Sequence, residues 1–140
     1  MAAFHRTTSG HAELVLVGGY SGIGKSCLVH ELHKPIVAEQ GFFVSGKCDQ
    51  FNRNQPYIAL KQAFQTLMQQ LLSEGEDRLQ FWRMKLNDAL GDNTAVIAEL
   101  VPELINVVGD VPELVELSPS EAENRFHRAF SQYVSALSSN

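Results

Sequence analysis

The chain has 140 residues, 44% apolar and 19% charged, with a net charge of −5 and a pI near 5.5. That length suits one domain with a real core, and the acidic balance excludes the electrostatic footprint of a nucleic-acid or anionic-membrane binder. No apolar run approaches the roughly 18 residues of a membrane span, the N-terminal MAAFHRTTSG holds no signal-peptide core, and two cysteines, Cys27 and Cys48, make no disulfide framework, so the chain reads as soluble and cytoplasmic.

Ala12–Gly19 is a continuous apolar run, the pattern of a parallel strand buried on both faces. After a glycine-rich turn, Leu28, Val29, Leu32, Ile36 and Val37 recur at helical spacing, Pro35 predicts a kink or a break into two pieces, and Gly41 supplies a stop. GFFVSGKCD, Gly41–Asp49, is short, aromatic and β-branched, and predicts a second strand. Strand, glycine loop, helix and strand in that order make a βαβ unit over 12–50.

From residue 51 the pattern turns helical. Tyr57, Leu60, Phe64, Leu67, Met68 and Leu71 share one face of a helix capped by Asn54 with Pro56 in its first turn. Leu79, Trp82, Leu86 and Leu90 mark another, stopped at Gly91. Helical spacing continues from Val96 to Val108, interrupted by Pro102, and SPSE at Ser118–Glu121 is a capping box opening a helix with Ala122, Phe126, Phe130, Tyr133 and Leu137 inward. VPEL occurs at 101–104 and at 111–114, too short a unit to count as a repeat.

GYSGIGKS matches G-x-x-x-x-G-K-[ST], with Gly19, Gly24, Lys25 and Ser26 at the fixed positions. Glycines permit positive φ and let main-chain N–H groups approach phosphate oxygens. The helix opening at the lysine adds its dipole, Lys25 reaches the β- and γ-phosphates, and Ser26 offers its hydroxyl to Mg²⁺. The expected nucleotide-binding set is therefore Gly19, Tyr20, Ser21, Gly22, Ile23, Gly24, Lys25, Ser26 and Cys27, with ATP and Mg²⁺ as cofactors. ATP is preferred to GTP because the Asn-Lys-x-Asp pattern is absent.

ELVLVGGYSGIGKS, GKCDQFNRNQPY and EAENRFHRAF, in that order, resemble the AAA/STAND-like P-loop ATPase module of large bacterial signalling proteins, which join it to serine/threonine-kinase-like and histidine-kinase segments. The likeness runs from Ala2 to Ala136. It implies an α/β fold, a partial P-loop NTPase of three α/β/α layers whose first two parallel strands are followed by a mainly helical half, acting as a regulatory switch. Against the family pattern, residues 1–11 read as an N-terminal remnant, helical or disordered. The helix with its GRE-type box and the later strand carrying the Walker B acids are not found, so the sequence is expected to be an internal piece of the module or half of a split gene. Kinase-like domains or chains are the implied partners.

Hydrolysis also needs an acid at a strand end and a residue meeting the developing charge. LINVVGD, Leu104–Asp110, ends in an acid but continues the helical period, so Asp110 is not assigned to magnesium. Asp49 is a candidate near the metal or a turn-forming residue. Arg53 and Arg125 are candidate phosphate sensors, with solvated or salt-bridged arginines as the ordinary alternative. HELHK, His30–Lys34, misses the zinc-protease spacing by one residue and reads as surface histidines, and Cys27 reads as a small buried residue rather than a nucleophile. ATP binding without hydrolysis by this chain alone leads. A non-catalytic interaction module, in which the helical half docks another domain, is the alternative, and a small-substrate kinase is the third reading.

Overall fold

The structure is a computed structural model that describes residues 6–7, 12–39, 41–48 and 57–138. The chain divides into two compact units, Met1–Gly41 and Phe42–Asn140. Among the described residues there is no β-strand, and no helix is long and apolar enough to cross a membrane.

The α/β three-layer expectation is therefore corrected, because both predicted strands are irregular, at 12–20 and at 41–48. A buried parallel strand is held by ladder partners and by helices over both faces. Here Leu14 and Leu16 are each 86% exposed, and Val15 and Val17 are exposed as well. An apolar run gives a segment the propensity for a sheet but does not supply the neighbours that make one.

In the first unit, α1 (Lys25–His30) and α2 (His33–Ala38) are the two pieces predicted from Pro35. A proline ring collides with the carbonyl four residues earlier; that residue is Glu31, where α1 ends. After α2 the Gly41 N–H donates to the Ile36 carbonyl at 2.8 Å, a tight helix-ending bond. A Cβ at Gly41 would come within 3.2 Å of that same carbonyl oxygen. Neither helix has a buried residue.

The second unit is a helical bundle of α3 (Ile58–Leu72), α4 (Glu76–Leu90), α5 (Thr94–Leu100), α6 (Leu104–Val108) and α7 (Pro119–Ser138), with a 3₁₀ turn at Gly91–Asn93 after α4. The long α7 lies on α4 and α5, while α6 lies on α3 and α4. Met68, Leu71, Leu86, Ile97, Leu104 and Tyr133 are fully buried at the centre. Burying an aliphatic side chain of this size contributes about 1.5–3 kcal/mol, and truncation to alanine in such a core costs about 2–5 kcal/mol. Around Tyr133 the aromatic rings interlock, with Phe64 at 5.0 Å from it and Phe130 edge-on to Phe64 at 5.8 Å.

Boundaries follow local chemistry. Gly91, at φ 49°, ends α4 as predicted. Pro102 pushes the preceding Val101 out of the helical region to φ −128°, ψ 81°, separating α5 from α6. Ser118 and Glu121 form the predicted cap, the Glu121 carboxylate accepting the Ser118 N–H at 3.1 Å. The buried stripe of α7 also includes Ala129 and Ala136, small residues that let α4 and α5 approach, whereas Ala122 is exposed. Tyr57 stands outside α3 in the left-handed conformation, φ 63°, half-exposed rather than on the inner face. Asn54 and Pro56 lie outside the described residues.

The segment expected as a second strand finds another support. Phe42–Cys48 runs along α3, the Lys47 N–H donating to Gln62 Oε1 at 2.9 Å and Gln70 Nε2 donating to the Phe43 carbonyl at 2.9 Å. Side-chain amides of a helix thus satisfy main-chain groups that a sheet would otherwise take. Gly46 permits the approach, since a Cβ there would lie 1.8 Å from the Ala59 carbonyl oxygen.

Candidate functional site

The glycine-rich loop lies in the first unit. Gly22 and Gly24 have φ of 83° and 94°, where any side chain is strained. A Cβ at either would meet nothing within 4 Å, so the backbone conformation, not crowding, demands glycine. The turn closes through the Ile23 N–H to the Tyr20 carbonyl at 3.4 Å, and α1 begins with the Leu28 N–H on the Gly24 carbonyl at 3.1 Å.

Lys25, one residue into α1, folds back over this turn. Its ammonium donates to the Gly19 carbonyl at 2.9 Å and to the Tyr20 carbonyl at 2.7 Å. The cation is thereby fixed at the mouth of the loop by two neutral acceptors, and among the described residues it takes part in no ion pair. Around it Tyr20 and Ile23 project into water, 87% and 67% exposed, and Ser21 and Ser26 are exposed. Cys27 is a free, exposed thiol, which corrects the expectation of a small buried residue: α1 buries none of its faces.

Gly19, Tyr20 and Lys25 are thus joined directly, and Gly22 and Gly24 shape the turn between them. Ser26 and Cys27 follow on α1. Asp49 and Arg53 lie outside the described residues. Arg125 belongs to the second unit, where its Nε donates to Asn93 Oδ1 at 2.9 Å and an Nη to the Asp92 carbonyl at 2.8 Å, fastening α7 to the turn after α4. Asp110 is exposed just past α6. His30 closes α1 and His33 opens α2, both exposed. Among the described residues no cluster of three His, Cys, Asp or Glu is placed to hold a metal ion.

Sequence reading missed the two carbonyl partners of Lys25, which no motif specifies. It also missed the close approach at Gly46, for which a signal existed: a glycine inside an apparent strand flags another backbone nearby. Arg128 was given no part, and its one signal was its spacing of three residues from Arg125.

Residues 1–140 match the family described as AAA ATPase domain. The chain is 34% identical over 134 residues to hybrid signal transduction histidine kinase G of Dictyostelium discoideum, an alignment covering 96% of this chain and 4% of that protein. It is 26% identical over 98 residues to histidine protein kinase 1 of Candida albicans, covering 69% of this chain and 4% of that protein. The chain therefore spans a small fraction of the length of these relatives. No solved structure matches it with significance. The chain belongs to the AAA ATPase domain family.

Proposed function

We propose that this chain binds Mg²⁺·ATP through Gly19–Cys27 and serves as a regulatory module of a multidomain signalling protein. The observation that carries the reading is Lys25, an ammonium held at 2.9 and 2.7 Å by two carbonyls of a glycine turn and, among the described residues, in no ion pair. Such a cation gains more from a polyphosphate than from neutral carbonyls, because charge-assisted bonds are about twice as strong. The open space beyond Gly22 and Gly24 suits the approach of an anion to the main chain.

On this reading Gly19, Gly22, Gly24 and Lys25 hold the phosphates, and the exposed Ser26 hydroxyl is the chain's ligand to Mg²⁺, which when bound neutralises phosphate charge. Binding, not turnover by this chain alone, is what these residues support. The AAA family and the histidine-kinase relatives support a signalling context. A STAND-like switch, in which nucleotide state sets contacts with kinase-like domains, is the finer form of the reading, and a cytoplasmic location goes with it. Both named relatives are eukaryotic, so a bacterial source is not part of it.

Calorimetric titration of the full chain with Mg²⁺·ATP tests this. One site is expected, lost in Lys25→Ala and weakened by chelating the metal. Equal heats from the wild type and Lys25→Ala would refute it. One observation favours a second reading, a non-catalytic interaction module: Leu14 and Leu16 are each 86% exposed, an apolar run left open to a partner surface. In that case Lys25→Ala leaves partner binding intact and Leu14→Asp abolishes it.

A further inference from the structure

Two of the groups with which the glycine turn could hold an anion are spent on the turn itself. The Lys25 ammonium has three donors, and two contacts engage it, with the Gly19 carbonyl at 2.9 Å and the Tyr20 carbonyl at 2.7 Å. The Ile23 N–H, a main-chain donor of the same turn, also goes to the Tyr20 carbonyl, at 3.4 Å. That one oxygen therefore accepts from both the cation and the main chain.

Side chains support this arrangement from outside. A Cβ added to Gly19 would lie 3.1 Å from Ile23 Cγ2 and 3.7 and 3.8 Å from Lys25 Cδ and Cγ. The Ile23 methyl and the Lys25 stem thus both lie over the bare α-carbon of Gly19. Ile23 is otherwise open to water, 67% exposed, and Lys25 is the one half-buried residue from Ser21 to His30. Ordering a lysine costs side-chain entropy, and apolar contact along its stem offsets part of that cost.

Resting on the phosphate-binding reading of this loop, we propose that Ile23 and Lys25 form a latch that competes with the nucleotide for the turn. The closed turn uses the cation and the Ile23 N–H internally, and a polyphosphate gains both only when they leave the Tyr20 carbonyl. The apparent affinity is then that of the opened turn reduced by the fraction of chains in which it is open. Ile23 is a positioning residue: its side chain acts through Lys25, whose stem it keeps on Gly19.

The test reads the latch first without nucleotide and then with it. Acetylation of the full chain by a water-soluble N-hydroxysuccinimide ester, followed by mass spectrometry, gives the labelling rate of each lysine. Lys25 is expected to label about tenfold more slowly than Lys34 of α2, which is exposed, because its ammonium is held by hydrogen bonds. Ile23→Ala removes Cγ2 and is expected to speed Lys25 about threefold, with Lys34 unchanged. Ile23→Val keeps Cγ2 and is expected to restore the slow rate. In calorimetry, Mg²⁺·ATP is expected to bind Ile23→Ala about threefold more tightly than the wild type, and Ile23→Val is expected to reverse the gain. Lys25 labelled as fast as Lys34, or Ile23→Ala binding Mg²⁺·ATP no more tightly than the wild type, would overturn the latch and leave phosphate binding standing. No Mg²⁺·ATP binding by the wild type or either variant would instead overturn phosphate binding, and the latch with it.

Discussion

Gly46→Ala is the sharpest perturbation the second unit offers. The added Cβ would lie 1.8 Å from the Ala59 carbonyl oxygen and 2.5 Å from its carbon, and the contact must open beyond 3.0 Å. Both atoms are main chain in the first turn of α3, so no side chain can rotate away. The strand-like segment Phe42–Cys48 must instead lift from the helix. That loses the Lys47–Gln62 and Gln70–Phe43 hydrogen bonds, about 1 kcal/mol each. It also loosens the edge-on contact of Phe42 with Trp82 at 5.8 Å, about 0.5–1.5 kcal/mol more. The expected cost is about 2.5–3.5 kcal/mol, and at about 4–8 °C per kcal/mol for a unit of this size the melting temperature falls by about 10 °C or more. Thermal denaturation followed by circular dichroism reads the loss, and amide exchange at Lys47 locates it. Gly75→Ala is the control, since a Cβ there meets nothing within 4 Å and replacing the N-cap glycine by alanine costs no more than about 1 kcal/mol, well short of the loss expected at Gly46. If Gly46→Ala melts with the wild type and the Lys47 amide keeps its protection, the segment does not lie against α3 and the reasoning fails.

Tyr133 is fully buried and its hydroxyl has no hydrogen-bond partner among the described residues; burial pushes its pKa far above the ordinary phenol range. Tyr133→Phe removes an unpaired polar group, so it is expected to raise stability by about 1 kcal/mol in urea denaturation, and a loss of stability would mean that the hydroxyl has a partner. Glu121 has its carboxyl held below the ordinary range, first by the Ser118 hydroxyl and then by the Ser118 N–H. Its lowered folded-state value means a contribution to α7 that is complete above the unfolded glutamate value and is lost as pH falls through the folded one. Helicity followed by acid titration is expected to show this component in the wild type and not in Glu121→Gln, and identical curves would refute it.

The helices were legible where sequence and fold ask the same thing of neighbouring residues. Leu86 and Leu90 lie one turn apart, Gly91 follows with a positive φ, and Ser118 precedes Glu121 by three residues. Each of these is local, so propensity, periodicity and capping agree without knowledge of the rest of the chain. The same holds for the break between α1 and α2, which the position of Pro35 dictates. What stayed hidden in this half was small: Ala129 and Ala136 are buried, yet alanine carries too little hydrophobic signal to mark a face.

The two segments expected as strands failed for the opposite reason. A strand has no internal hydrogen bonds, so its existence depends on residues far away in sequence, and β-branched content measures only fitness for a pleated, half-buried surface. Phe42–Cys48 shows how the choice is made. Two glutamines of α3 offer its main chain partners, Trp82 offers Phe42 an edge, and Gly46 removes the one steric obstacle, so the segment lies along a helix. Leu14–Val17 is equally apolar, but its side chains are open to water, and no residue of α1 or α2 is buried beneath it. The glycine turn differs from the two strands because its determinants are local again. The positive φ at Gly22 and Gly24 and the return of Lys25 onto Gly19 and Tyr20 all lie within seven residues of chain. The phosphate-binding proposal rests on these local contacts, and Lys25→Ala tests it without reference to any sheet.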